Sequence, residues 1–143
     1  MKSTKTAIPA RGKNTKFTLL NGNKKVVDKY IVDDCLLKLR TQDEKCDYLF
    51  NIRTEKIAYF IECKGSDILK AVDQINSTID ILKENFFGYI LKGRIISTRV
   101  YSPDLRTVSY RKLREKLNGH LVTKKYKFRR LYLGHEDQRV LHL

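Results

Sequence analysis

"CDYLFNIRTEKIAYFIECKGSDILKAVDQI", residues 46–75, holds two apolar, aromatic and β-branched runs on either side of the polar stretch NIRTEK. That length suits a hairpin loop, so the segment predicts two antiparallel strands. The second run ends abruptly on Glu62-Cys63-Lys64. Gly65 and Ser66 stop it, and Ser66 or Asp67 is placed to cap a helix. Beyond the cap, Ile68, Ala71, Val72, Ile75, Ile79 and Leu82 recur at three- and four-residue steps and form one apolar helical stripe.

Side chains alternate faces along a strand, so Glu62 and Lys64 point one way while Ile61 and Cys63 point into the opposite, apolar face. A same-face ion pair at a sheet end contributes only about 0–1 kcal/mol when exposed. When buried it can be a net cost, so on its own it says nothing of function. Asp47, however, opens the other strand of the hairpin, and the short loop brings its carboxylate across to Glu62. Two carboxylates converging near a lysine make an oxygen-rich site suited to a hard divalent cation, magnesium first. The lysine does not ligate such an ion, but it can orient a metal-bound water or offset charge on a phosphate.

Asp47, a hairpin, then IECKG ending a strand and leading into a helix resembles the PD-(D/E)XK nuclease superfamily, with its restriction-endonuclease-like fold. The matched core runs from about Asp33 to Leu82; the rest agrees only in the order of its elements. The resemblance implies metal-dependent hydrolysis of phosphodiester bonds, with Asp47 and Glu62 as ligands of Mg²⁺ or Mn²⁺. It implies the Cys63 backbone carbonyl as a further ligand and Lys64 beside the attacking water. Many members carry a glutamine on the following helix, and Gln74 is similar, although a solvent-facing Gln is an equal reading. Lys45-Cys46 stands where the family often has proline. The acidic residue that many members have on an N-terminal helix has no counterpart in the first 27 residues, which contain no Asp or Glu. Asp33 or Asp34 could replace it and join the metal, with Asp28 a weaker candidate; an acidic turn is the competing reading.

Thirty Lys and Arg against 16 Asp and Glu give a net charge of +14, more than solubility requires. Such an excess favours a polyanionic partner, nucleic acid ahead of membrane and DNA ahead of RNA. At 41% hydrophobic and 32% charged residues the composition is that of a globular chain, and 143 residues fit a single nuclease-like domain. No apolar run approaches the roughly 20 residues of a membrane span, and the basic start lacks the apolar segment of a signal peptide. A cytoplasmic protein is the expectation. Its three cysteines, Cys35, Cys46 and Cys63, read as buried free thiols rather than a closed disulfide set. His120, His135 and His142 have no metal-ligand spacing.

Working outward, residues 1–20 read as a basic arm or a loosely attached first element ending in a turn at Asn21-Gly22-Asn23, and 134–143 as a short tail. KVVDKYIVDDCLLKL predicts one or two strands broken near Asp33-Asp34. FFGYILKG and RIISTRVYS predict two strands, and VSYRKLREKLNG a helix with Val108, Leu113 and Leu117 inward and Gly119 as terminator. HLVTKKYKFRRLYL predicts a last strand. The expected fold is α/β, a central mixed β-sheet flanked by helices. From residue 92 to 130 only Asp104 and Glu115 are acidic. Arg94, Arg99, Lys124, Lys125, Lys127, Arg129 and Arg130 are therefore the candidate nucleic-acid contacts, with Tyr126 or Phe128 more suited to the core than to base stacking.

The most concrete functional expectation is a small endonuclease acting on DNA, with a resolvase-like homodimer on branched DNA as one specific form. The alternatives are a catalytically silent nucleic-acid-binding module and a subunit of a larger nucleic-acid-processing or defence assembly.

Overall fold

The computed structural model describes residues 2–3, 7–11, 16–20, 26–32, 48–64, 66–125, 128–132 and 140–142. Along the chain these form β1 (Lys2–Ser3), β2 (Ala7–Arg11), β3 (Lys16–Leu20), β4 (Val27–Ile31), β5 (Tyr48–Ile52), β6 (Ile57–Lys64), α1 (Ile68–Leu82), β7 (Ile90–Ser97), α2 (Val108–Lys116), β8 (Leu121–Lys125), β9 (Phe128–Tyr132) and β10 (Val140–His142). A mixed sheet in the order β1-β4-β5-β6-β7-β8 carries both helices, and a second sheet runs β10-β9-β3-β2. The fold is thus α/β, as the sequence predicts.

The predicted hairpin is present: β5 and β6 pair antiparallel with Tyr48 opposite Ile61 and Ile52 opposite Ile57. β6 then pairs in parallel with β7, and β7 in parallel with β8. Parallel neighbours need a crossover, and α1 and α2 provide the two. Asp67 caps α1 by accepting from the Lys70 amide at 3.0 Å. Every residue of the predicted α1 stripe is buried, joined by Thr78, whose hydroxyl donates to the Gln74 carbonyl at 2.8 Å. Each large apolar side chain on that stripe contributes about 1.5–3 kcal/mol by leaving water. Under α1 and α2 the sheet offers Leu49, Ala58, Phe60 and Ile95 to one apolar cluster. On the other face Val27, Phe50, Ile52, Tyr59, Ile61 and Ile96 form a second cluster, and β2 lies against β6.

Several elements differ from the sequence reading. Residues 7–11 and 16–20, expected in a basic arm, are an antiparallel strand pair, and residues 140–142 of the expected tail pair with β9. FFGYILKG and RIISTRVYS contain one strand rather than two: a 3-10 turn at Lys83–Phe86 extends α1, Gly88 turns the chain at φ +80°, and β7 runs unbroken through Gly93. Gly93 does not punctuate the strand; a Cβ there would lie 2.9 Å from a methyl of Leu117 and 2.9 Å from one of Leu121. In α2 the inward positions are Tyr110, Leu113 and Leu117, while Val108 is exposed. Thr107 is the N-cap, so Val108 opens the first turn off the buried stripe. Gly119, at φ +85°, ends the helix as expected, its amide donating to the Arg114 carbonyl at 2.8 Å. HLVTKKYKFRRLYL is split between the two sheets as β8 and β9.

Replacing Gly93 with Ala should overpack the α2–sheet contact and cost about 1–3 kcal/mol in denaturant unfolding. The Tyr110 hydroxyl bonds Thr123 Oγ1 at 2.9 Å, and burial raises the phenol's pKa above its ordinary 10.0 against the pull of that bond. The folded state therefore holds the phenolic proton more tightly than the unfolded chain. This stabilisation is complete below about pH 10 and is lost as pH climbs through the raised folded value. Tyr110→Phe should cost about 1 kcal/mol at neutral pH and lose less stability than wild type on titration above that point.

Candidate functional site

β4 and β6 run in the same direction because each pairs antiparallel with β5. The ends of β4, β6, β7 and β8 and the start of β5 therefore gather at one end of the sheet, where α1 and α2 also begin. Pockets of α/β proteins form in this position, outside the carboxyl ends of parallel strands.

Glu62 lies at that end, 1% exposed. In register it stands beside Ile95 of β7, which stands beside Thr123 of β8. Ile95 belongs to the cluster beneath the helices and Thr123 bonds Tyr110 of α2, so this row faces the helical layer. Two residues further on, Lys64, Ser97 and Lys125 form the last row of the three strands. Ser97 is buried, and its hydroxyl donates to the Arg99 carbonyl at 2.7 Å and accepts from the Arg99 amide at 3.3 Å. That pair of bonds fixes the turn by which the chain leaves β7.

Glu62, Lys64, Arg99 and Lys125 thus belong to one end of the sheet, as does Lys124, which stands beside Ile96 and so lies on the face opposite Glu62. Gln74 sits on α1, the helix over β6, with its side-chain oxygen buried. Arg99 and Lys125 are exposed and Lys124 half-buried. Arg94 is not at this site. It is 1% exposed on the face opposite Glu62, its guanidinium 5.3 Å from the centre of the Tyr59 ring and its Nη1 donating to the carbonyls of Gly93 at 2.8 Å and His120 at 3.2 Å. The alternation that turns Ile95 toward Glu62 turns Arg94 away, so it is a structural cation rather than an exposed phosphate contact.

Asp28 is also elsewhere. It pairs with Asn51, which pairs with Ala58, four residues and about 13 Å along β6 from Glu62. Its carboxylate is held by Arg53 at 2.6 Å. Asp33, Asp34, Asp47, Lys127, Cys35 and Cys46 lie outside the described residues, as do the side chains of Cys63, Lys64, Arg129 and Arg130. Among the described residues no three His, Cys, Asp or Glu side chains group to hold a metal ion, and no helix is long and apolar enough to cross a membrane.

One residue at this end escaped the sequence reading. Tyr101 follows Arg99 in the loop after β7 and is 63% exposed; a lone tyrosine before Ser-Pro has no pattern to betray its exposure. Two surface clefts, one lined by Arg111, Arg114, Glu115 and Gly119 and one by Tyr89, Ile90, Lys116, Asn118 and His120 among others, lie toward the other end, where α2 finishes and β8 starts. No protein-family model, curated protein or solved structure matches the chain.

Ser97→Ala should remove both bonds to the Arg99 backbone, leave its amide and carbonyl to water, and cost about 1–2 kcal/mol in chemical denaturation. Hydrogen exchange should rise at Arg99 and Val100 while α1 stays protected.

Proposed function

We propose that this chain is a metal-dependent phosphodiesterase of the PD-(D/E)XK type, with a restriction-endonuclease-like core, acting as an endonuclease on DNA. The observation that carries the reading is a buried glutamate, Glu62, at the carboxyl end of a strand that leaves a hairpin and enters a crossover helix. A carboxylate is costly to bury and is tolerated where other groups use its charge. In the sequence Asp47 immediately precedes Tyr48, the first residue of β5, and Asp33, a candidate for a further acid, immediately follows Val32.

The donor set fits a hard cation. Glu62 and Asp47 would hold Mg²⁺ or Mn²⁺ with the Cys63 carbonyl, and Asp33 is a further candidate, all through oxygen. When bound, such an ion supplies charge stabilisation at a phosphate and makes its water more acidic. The chain's own residues do the rest. Lys64, two residues beyond Glu62, assists the attacking water or neutralises the phosphate, and Gln74 positions water or backbone from α1. Arg99 and Lys125 flank them and hold phosphates without regard to sequence, with Lys124 at the same edge on the other face. The net charge of +14 supports a nucleic-acid partner.

The test is cleavage of plasmid, linear, single-stranded and branched DNA and of RNA in Mg²⁺, Mn²⁺ or EDTA, by wild type and Glu62→Ala. Metal-dependent cutting of DNA is expected from wild type, with only background from the variant. Mg²⁺ should also raise the Tm of wild type and not that of Glu62→Ala, since only a folded site binds the ion. Salt-sensitive binding without cutting under any metal would instead make this a silent binding module.

A further inference from the structure

The loop from Thr98 to Thr107 leaves β7 at the Glu62 end of the sheet and leads into α2. Val100 and Leu105 anchor it by packing against the core under the helices. Tyr101, larger than either, is left outside, and Arg99 and Arg106 on the same loop are exposed with it. The backbone that presents them is fixed at several points. Ser97 Oγ holds Arg99, the Asp104 amide donates to the Tyr101 carbonyl at 3.0 Å, and Thr107 Oγ1 donates to the Asp104 carbonyl at 2.9 Å. Pro103 lies within the 3-10 turn at Ser102–Arg106 and restricts the loop further.

We propose that Tyr101 stacks on an unpaired nucleobase beside the phosphate bound at the Glu62 end, with Arg99 and Arg106 engaging the neighbouring phosphates. The inference rests on the nucleic-acid reading above and adds a substrate class to it, DNA with a single-stranded or unpaired nucleotide at the site. Stacking on an aromatic side chain is tolerant of sequence because every base has a π-face, and guanidinium groups match phosphate geometry. A loop already ordered before binding loses little entropy on capture. Phe87 makes a useful contrast. It is the more exposed ring at 92%, but it precedes β7 and so sits at the opposite end of the sheet, with Lys83 the only basic residue among its four preceding neighbours.

Binding of a labelled single strand and of a fully paired duplex of equal length, in EDTA to prevent cleavage, tests the proposal. Tyr101→Ala should weaken single-strand binding about tenfold and leave the duplex within about twofold, because its phosphate contacts remain. Tyr101→Phe should keep single-strand affinity, since the ring remains. Arg99→Ala should weaken both and reduce the salt slope by about one phosphate contact. Unchanged single-strand binding by Tyr101→Ala, or equal losses on both substrates, would overturn the stacking role while leaving the nucleic-acid reading intact. Failure of wild type to bind either nucleic acid would overturn both. Thermal unfolding of Tyr101→Ala should match wild type, as expected for an exposed side chain.

Discussion

Eight residues of β6, from Ile57 to Lys64, pair in parallel with eight of β7, from Ile90 to Ser97. Strands so paired cannot be joined by a hairpin, so the chain must return along one face of the sheet, and α1 is that return. The helix needs an apolar stripe to lie there, and β6 beneath it is apolar on both faces through Ile61, which is why AYFI reads as a continuous hydrophobic run. α2 repeats the arrangement between β7 and β8. With three strands ending together and two helices beginning beside them, polar and charged side chains collect where the apolar rows run out. Glu62 sits one row short of that edge, where its Cα belongs to the core and its carboxylate can serve a site.

The parts of this arrangement visible in the sequence are those whose signals are local. The hairpin is written in two short runs and a polar loop, and α1 in a period that every buried residue of the helix obeys. Gly93 shows where locality fails. A glycine inside a strand-like run reads as a stop, but its reason is the methyl groups of Leu117 and Leu121, more than twenty residues away. The alternation in HLVTKKYKFRRLYL is continuous to the eye, yet β8 and β9 join different sheets, a choice made by partners rather than by propensity. Within the candidate site, Glu62 and Lys64 were legible from a motif. Arg94 was not, because alternation gives relative faces and only the register with Glu62 gives the absolute one.

The misplaced arginine also changes how the charge of the chain is to be read. Arg94 and Lys92, the latter 4% exposed, share the Tyr59 ring on the far face, with the Lys92 amine 5.8 Å from the ring centre. Desolvated contacts of this kind stabilise by about 2 kcal/mol or more. The His120 carbonyl accepts from both the Gly93 amide, at 2.8 Å, and Arg94 Nη1, so the buried guanidinium ties the middle of β7 to the start of β8. Two of the thirty basic residues thus belong to the architecture.

Asp28 and Glu62 lie on the same face of the sheet, both almost fully buried, at its two ends. Asp28 meets Arg53, a guanidinium largely in water, across the mouth of the hairpin. Removing that arginine would strand a buried charge, which marks the pair as part of the fold. Glu62 occupies the opposite end, in a register row with Ile95 and Thr123. The adjoining row of Lys64, Ser97 and Lys125 opens onto the edge. On the proposed reading, Glu62 would meet a metal ion from within the core and the residues of the edge row would meet a phosphate.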